Sequence, residues 1–309
     1  MSTTMTDSLS DTALAASLEG GFTSHYAEVN GTRLHYVEGG SGRTLMLLGG
    51  WPQTWWQWHK VMPALARRYR VIAVDLRGMG GSAKPADGYD KKTMARDIRE
   101  LVDHLGLESV VIAGHDIGAM VAYAYAANYP EATDKISLLD VPHPDGGWSG
   151  FGLLPEPDQH VDSVIESGAR SYLWWFAFNQ VQGLPELLLQ GRIRLLVDWL
   201  FGRQAADPDS IDEFSRRVYA QAYSTPDAVR AGNAWYRTFN QDIVDERSYG
   251  KVTAPILALG GDESNYEYLR NLMPAKGIDV RVLEVADCGH YIPEEQPHAV
   301  IDALVDFLG

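Results

Sequence analysis

Ser109-Val110-Val111-Ile112-Ala113-Gly114-His115-Asp116-Ile117-Gly118-Ala119-Met120-Val121-Ala122-Tyr123-Ala124 is the stretch from which the rest of the chain is read. Through His115 it is a continuous apolar run, the pattern of a strand buried on both faces of a parallel sheet. From Ile117 to Tyr129 it is an apolar helix with small residues at Ala119, Ala122, Ala124 and Ala126. Gly114-His115-Asp116-Ile117-Gly118 must therefore reverse the chain within a few residues. Such a turn needs small neighbours, which Gly114, Gly118 and Ala119 are. Strand, sharp turn and helix in this order are the setting of a nucleophile elbow, and the helix N-terminus favours a negative charge at Asp116. The usual elbow residue is Ser. A hydroxyl needs a base to become nucleophilic and attacks acyl carbon, whereas a carboxylate is ionised at neutral pH and suits displacement at saturated carbon. The product is an ester of the side chain itself, which water must then cleave.

Outward from the elbow, Thr44–Gly50, Arg70–Asp75, Lys135–Asp140, Pro255–Gly261 and Val280–Val285 are further apolar runs, and Lys92–Leu105 and His298–Leu308 are helix-like. Phe22–Val37 alternates and contains Asn30-Gly31, which predicts an antiparallel hairpin. Strands alternating with helices predict an α/β fold with a doubly wound, mostly parallel sheet. Residues 142–249 break the rhythm: a Gly/Pro-rich opening gives way to helical patterns with no strand between them. The expected organisation is a flexible tail over 1–20, a core from 21–141 and 250–309, and a helical cap, or lid, over 142–249 inserted between two strands.

The 309 residues suit one large domain with an insertion. A formal net charge of -15 repels phosphate backbones and anionic lipid, so neither nucleic acid nor a membrane surface is an expected partner. Cys288 is the single cysteine, which rules out an intrachain disulfide and a Cys-based metal site; no metal and no cofactor are called for. No basic residue precedes Arg33, and the apolar stretch Ala13–Leu18 is short and broken by Ser17. That is not a secretory signal, and the expectation is a cytoplasmic protein, monomer or homodimer, acting on a small molecule. No window reaches the roughly 18 apolar residues of a membrane span.

The elbow has candidate partners. His290, in Cys288-Gly289-His290-Tyr291-Ile292-Pro293-Glu294-Glu295, stands after the last apolar strand, where the chain order nucleophile, acid, His puts a triad base. Two places can supply the acid: Asp140, ending Lys135–Asp140, and Asp262, followed by Glu263 and Ser264. Asp140 is favoured, although Asp before a Pro-rich turn often serves only to accept backbone N–H bonds. The loop Gly49-Gly50-Trp51-Pro52 places the N–H of Trp51 as one oxyanion donor, with that of Ile117 as the other. His115 and His143 read as packing or hydrogen-bonding residues near the site.

As a set, Gly114–Ala119 (GHDIGA), Gly49–Trp58 (GGWPQTWWQW), Leu138–Asp145 (LLDVPHPD), Asn233–Asp242 (NAWYRTFNQD) and Cys288–Glu295 (CGHYIPEE) resemble the α/β-hydrolase epoxide hydrolases. The haloalkane and fluoroacetate dehalogenases are close relatives of that family. The likeness runs from about Phe22 to Leu308. It implies an epoxide opened to a vicinal diol through an alkyl-enzyme ester on Asp116, hydrolysed by water that His290 activates. It also implies Tyr236 as the lid donor to the epoxide oxygen. Ser264 stands where other members carry the acid, which favours Asp140. The second lid donor is usually Tyr or His; here Trp174 or Trp175 stands in its place, and an indole N–H donates a hydrogen bond without giving up its proton. Plain aromatic packing is the alternative for both. Trp174, Phe178 and Pro52 are expected to line the substrate, and the aromatic lid implies a bulky apolar or aromatic epoxide. Gly49 departs from the usual His of the oxyanion loop. Ile117 and Met120 depart from the Trp or Arg that dehalogenases use to hold halide or carboxylate. Dehalogenation on the same Asp remains the alternative, and a catalytically silent binding protein is the more distant one.

Overall fold

The computed structural model describes residues 9–150 and 173–309. Eight strands form one sheet in the order β1-β2-β4-β3-β5-β6-β7-β8. They are β1 Thr23–Val29, β2 Thr32–Gly40, β3 Thr44–Leu48, β4 Arg70–Asp75, β5 Val110–His115, β6 Thr133–Leu139, β7 Ile256–Gly261 and β8 Val280–Val285. β1 pairs antiparallel with β2 and β2 with β4, while every pairing from β4 to β8 is parallel. β3, β5 and β7 are buried at every position, as strands with helices on both faces must be. The first hairpin turns at Asn30-Gly31, both with positive φ (45° and 69°), the geometry an Asn-Gly turn provides.

The crossover helices include α3 (Lys91–His104) and α4 (Ile117–Asn128), and α13 (Pro297–Leu308) closes the chain. Each residue of α4 from Ile117 to Ala126 is buried, so the helix behind the elbow lies in the middle of the core. No described helix is long and apolar enough to cross a membrane.

Between β6 and β7 the chain is helical: α5 (Trp174–Gln180), α6 (Leu184–Leu189), α7 (Ile193–Gln204), α8 (Glu213–Ala222), α9 (Pro226–Arg237) and α10 (Phe239–Glu246). The expected boundary segment 142–249 includes residues 151–172, which lie outside the described residues. The inserted helices are fastened to the core by a buried ion pair. Lys91 Nζ, at the start of α3, lies 2.8 Å from Asp242 Oδ2 on α10 and also donates to Trp235 O at 2.8 Å. A pair with no water access holds only when its remaining donors are satisfied in this way.

One expectation needs correcting. The tail read over residues 1–20 contains a helix, α1 (Asp11–Ser17). Ser10 Oγ caps it by accepting from Ala13 N–H at 3.3 Å, and Leu14 and Ala15 are buried against the sheet. Asp11 accepts from Trp55 Nε1 at 2.8 Å, tying the helix to the loop after β3.

Candidate active site

Asp116 leaves β5 and opens α4 with φ 52° and ψ −121°, a conformation that costs a non-glycine residue about 1–3 kcal/mol and persists only when its surroundings enforce it. The enforcement is contact without side chains. A Cβ on Gly114 would lie 2.2 Å from Gly118 O, and one on Gly118 2.2 Å from Leu48 O. One on Gly50 would lie 2.4 Å from the Asp116 Cβ, so the loop after β3 reaches the elbow only because residue 50 is glycine.

That approach lets Trp51 N–H donate to Asp116 Oδ1 at 2.9 Å, and the backbone of Ile117 hydrogen-bonds the same carboxylate. The two N–H groups named from sequence thus meet at one carboxylate. Burial pushes the Asp116 pKa up; the adjacent His290 and those two N–H groups oppose it without cancelling it.

His290 comes from the loop after β8. Its Nε2 is 3.7 Å from Asp116 Oδ2, and its Nδ1 is 2.6 Å from Asp140 Oδ2. Of the two acids the sequence offered, Asp140 is the one against the imidazole. Asp262 instead accepts from Asp287 N–H at 3.1 Å and Cys288 N–H at 3.0 Å, shaping the turn into the His290 loop. Asp140 is fully buried and held by the exit of β7. Ser264 Oγ donates at 2.7 Å and Asn265 Nδ2 at 3.1 Å to Oδ2, while the N–H groups of Gly261 and Asn265 each reach Oδ1 at 3.3 Å. Burial works to lower the His290 pKa, but the Asp140 hydrogen bond and the charges of Asp140 and Asp116 outweigh it, so it is raised.

Tyr236, on α9, is buried with its ring edge-on to Trp51, centroids 5.4 Å apart, and to Phe176 at 5.3 Å. Burial holds its hydroxyl proton well beyond the ordinary tyrosine range, and the Asp116 charge adds to this; a hydrogen bond from Trp175 pulls the other way. The Trp pair thus divides. Trp175 hydrogen-bonds Tyr236, whereas Trp174 packs against Phe178 (5.7 Å) and Trp199 (5.2 Å); Trp175 also meets Trp174 and Trp199 edge-on, at 6.3 Å and 6.5 Å. Pro52 is buried beside Trp51.

Three more residues adjoin the site: Phe176, which belongs to the aromatic lid read from sequence, and Tyr291 and Tyr223, which were not named from it. Phe176 bridges Trp148, Phe239 and Tyr236. Tyr291 packs edge-on to His290 at 4.9 Å, and the Asp116 charge is felt at its hydroxyl. Tyr223 donates to Gln53 O at 2.9 Å, so the end of α8 holds the loop that carries Trp51. Adjacency to His290 was the available signal for Tyr291, and the aromatic lid was the signal for Phe176; Tyr223 had none. His115 lies under His290, ring centroids 4.7 Å apart, with Nε2 2.7 Å from the His290 carbonyl oxygen. Burial pushes its pKa down to about 3, so it is a neutral donor there. Burial also pushes the pKa of His143 down to about 3, between Tyr123 (tilted, 5.5 Å) and Tyr249 (edge-on, 5.7 Å).

Among the described residues one group has metal-ligand spacing, Asp11, His35 and Asp75. Its carboxylate oxygens already accept: Asp75 Oδ1 from Trp55 N–H (2.9 Å), Asp75 Oδ2 from Gly81 N–H (2.9 Å) and His35 (2.8 Å). It is a hydrogen-bonded brace under the loop that leads from Trp51.

Known proteins resemble this chain over nearly its whole length. The chain is 36% identical over 291 residues to a soluble epoxide hydrolase of Corynebacterium sp. (strain C12), covering 92% of this chain and 96% of that one. It is 31% identical over 300 residues to a fluoroacetate dehalogenase of Burkholderia sp., covering 93% and 94%. Among solved structures, the epoxide hydrolase CorEH without ligand superposes with a TM-score of 0.80 at 34% identity, covering 93% of this chain and 98% of that one. The sequence profile of the alpha/beta hydrolase fold matches residues 43–297. With that match, the eight-stranded sheet and an elbow at the end of β5, the chain belongs to the α/β-hydrolase-fold family.

Proposed function

We propose that this enzyme, an epoxide hydrolase, works through an ester on Asp116. The Oδ2 oxygen attacks an epoxide carbon while Tyr236 donates to the oxygen that leaves it, and Trp175 supports the developing phenolate through its indole N–H. His290, held by Asp140, then takes a proton from water, which attacks the ester carbon. The negative charge moves to Oδ1, where Trp51 and Ile117 N–H receive it; collapse of that oxyanion breaks the Cγ–Oδ2 bond, His290 gives its proton to the departing oxygen to release the diol, and the proton left on Asp116 returns through water to the Tyr236 phenolate. The supporting observation is the pair of distances at His290: 2.6 Å to Asp140, which fixes the ring, and 3.7 Å to Asp116 Oδ2, too long for a hydrogen bond and close enough to deliver a water to the same carbon.

The inserted helices act as the lid, since Tyr236 and Trp175 both come from them. The aromatic neighbours of Tyr236 favour a bulky apolar or aromatic epoxide. A single cysteine, buried, suits a reducing compartment such as the cytoplasm.

Dehalogenation on the same Asp is disfavoured by two residues. Ile117 and Met120 are buried and apolar, so a haloacid carboxylate would find no cation there. The test is the intact mass of His290→Gln after incubation with epoxides, haloalkanes and haloacids. The expected result is a gain equal to the whole epoxide, located on Asp116. A gain of substrate minus hydrogen halide would replace this reading with dehalogenation. Turnover of epoxide by the wild type with no adduct on the variant would refute the ester.

A further inference from the structure

Tying His290 in place involves more than Asp140. The loop bearing it is held on the backbone, and one side chain makes most of those bonds. Glu295, the last residue of α12 (Ile292–Glu295), turns its carboxylate back along the loop. Oε1 accepts from Tyr291 N–H at 2.8 Å; Oε2 accepts from Gly289 N–H at 2.9 Å and from Ala206 N–H at 2.7 Å. The residues on either side of His290 and the chain just beyond α7 therefore share one carboxylate. His290 N–H itself donates to Gln204 O, the end of α7, at 2.8 Å. A Cβ on Gly289 would lie 2.3 Å from that same Gln204 oxygen, so the inserted helices and the base loop meet backbone to backbone.

We propose that Glu295 is a positioning residue: it fixes the backbone on both sides of His290 to the end of α7, setting the imidazole against the Asp116 ester and coupling the inserted helices to the base. This rests on the reading of His290 as base. The chemistry separates the two steps. Attack by Asp116 needs no base, so it proceeds whatever the position of His290. Ester hydrolysis needs the imidazole in register with the ester carbon, and a misplacement of about 1 Å can cost on the order of 100-fold.

Glu295→Gln keeps the size but not the acceptors. Whichever way the amide turns, its NH2 faces either Tyr291 N–H or the Gly289 and Ala206 pair, so the loop must shift. The measurement is steady-state kinetics on an epoxide that the wild type turns over, with intact mass taken during turnover. The expected result is kcat down by about 10-fold or more with kcat/KM within about 3-fold, KM falling in step, and the ester adduct as the dominant enzyme form. Loss of stability alone would lower kcat and kcat/KM together with no adduct, and that result would overturn the proposal, as would unchanged kcat. His290→Gln run in parallel separates the two failures: if it stalls as adduct and Glu295→Gln does not, only the Glu295 assignment falls; if it does not stall, the base reading falls and takes this one with it. Should Glu295→Gln not fold, Glu295→Asp keeps the charge on a stem one carbon shorter, and the same split at smaller amplitude is expected.

Discussion

Asp140→Asn isolates what the buried acid contributes. In the native protein one carboxylate receives His290 Nδ1 at 2.6 Å, two donors from Ser264 and Asn265 side chains, and two backbone N–H groups. An amide has one acceptor oxygen. If it faces Oδ2's partners, its NH2 meets the N–H groups of Gly261 and Asn265; if it turns over, the NH2 meets His290 and forces the ring to accept at Nδ1, leaving the proton on Nε2, where the base must be free. Removing one partner of a buried charged pair costs about 3–5 kcal/mol. At about 1.4 kcal/mol per tenfold, that is about 100- to 4,000-fold on the step that uses the base. Ester formation does not use it. The assay is single-turnover mixing with excess enzyme, following ester mass and diol separately: fast ester, slow diol. Asp262→Asn is the control, since Asp262 caps two backbone N–H groups rather than the imidazole. Its loss should cost about 1–2 kcal/mol in unfolding free energy and leave diol release within a few-fold. If Asp140→Asn releases diol at the wild-type rate, or if Asp262→Asn is the variant that stalls, the assignment of the acid is wrong.

Three further outcomes are expected. Tyr236→Phe should slow ester formation by roughly 100-fold or more and leave diol release from preformed ester unchanged, because the lost proton donor acts on the first step alone. The pKa values of Asp116 and His290 are both raised, so the acid limb of kcat/KM should lie above the usual aspartate value of 3.8, activity falling as pH drops and Asp116 gains its proton. Esterification removes the Asp116 charge that helps hold the proton on His290, so the acid limb of kcat should lie below the His290 pKa read by NMR in the free enzyme. Gly50→Ala should shift the Trp51 loop, since its Cβ would overlap that of Asp116; an unchanged rate of ester hydrolysis would show that the Trp51 N–H plays no part.

The inner sheet was legible because buried parallel strands are written as continuous apolar runs: Arg70–Asp75 matches its observed strand end to end, as does the edge strand Val280–Val285, which is largely unburied and interrupted by Arg281 and Glu284. The elbow was legible for the same kind of reason, since glycine at 114 and 118 and the small residues after them answer to contacts the turn cannot avoid. The choice between Asp140 and Asp262 was legible in part, through Ser264 standing where the acid could otherwise be. Both follow apolar strands, and which one reaches His290 depends on a loop that Asp262 caps at Asp287 and Cys288 while Glu295 and the end of α7 hold its other side, an arrangement no local pattern carries. Trp174 and Trp175 are neighbours in sequence but lie about 100° apart around a helix, and nothing local says which face of a seven-residue helix turns inward. The helix Asp11–Ser17 was read as tail because it is short; its order comes from burying Leu14 and Ala15, a tertiary effect that local pattern does not carry.

The seat of Asp140 also bears on how this family changes over time. β6 and β7 are neighbours, and the exit of β7 already points Ser264 and two backbone donors at the spot where the acid meets the imidazole. The hydroxyl of Ser264 lies 2.7 Å from Oδ2 of Asp140, so the two side chains occupy adjoining slots served by the same donors. Trading them, Asp140→Ser together with Ser264→Asp, moves the negative charge by one strand and leaves the elbow, the oxyanion loop and the base untouched. An intermediate that carries both acids would set two buried carboxyl groups against each other and hold one of them protonated, so the acid can change strands only by way of a form whose His290 partner is shared or weakened.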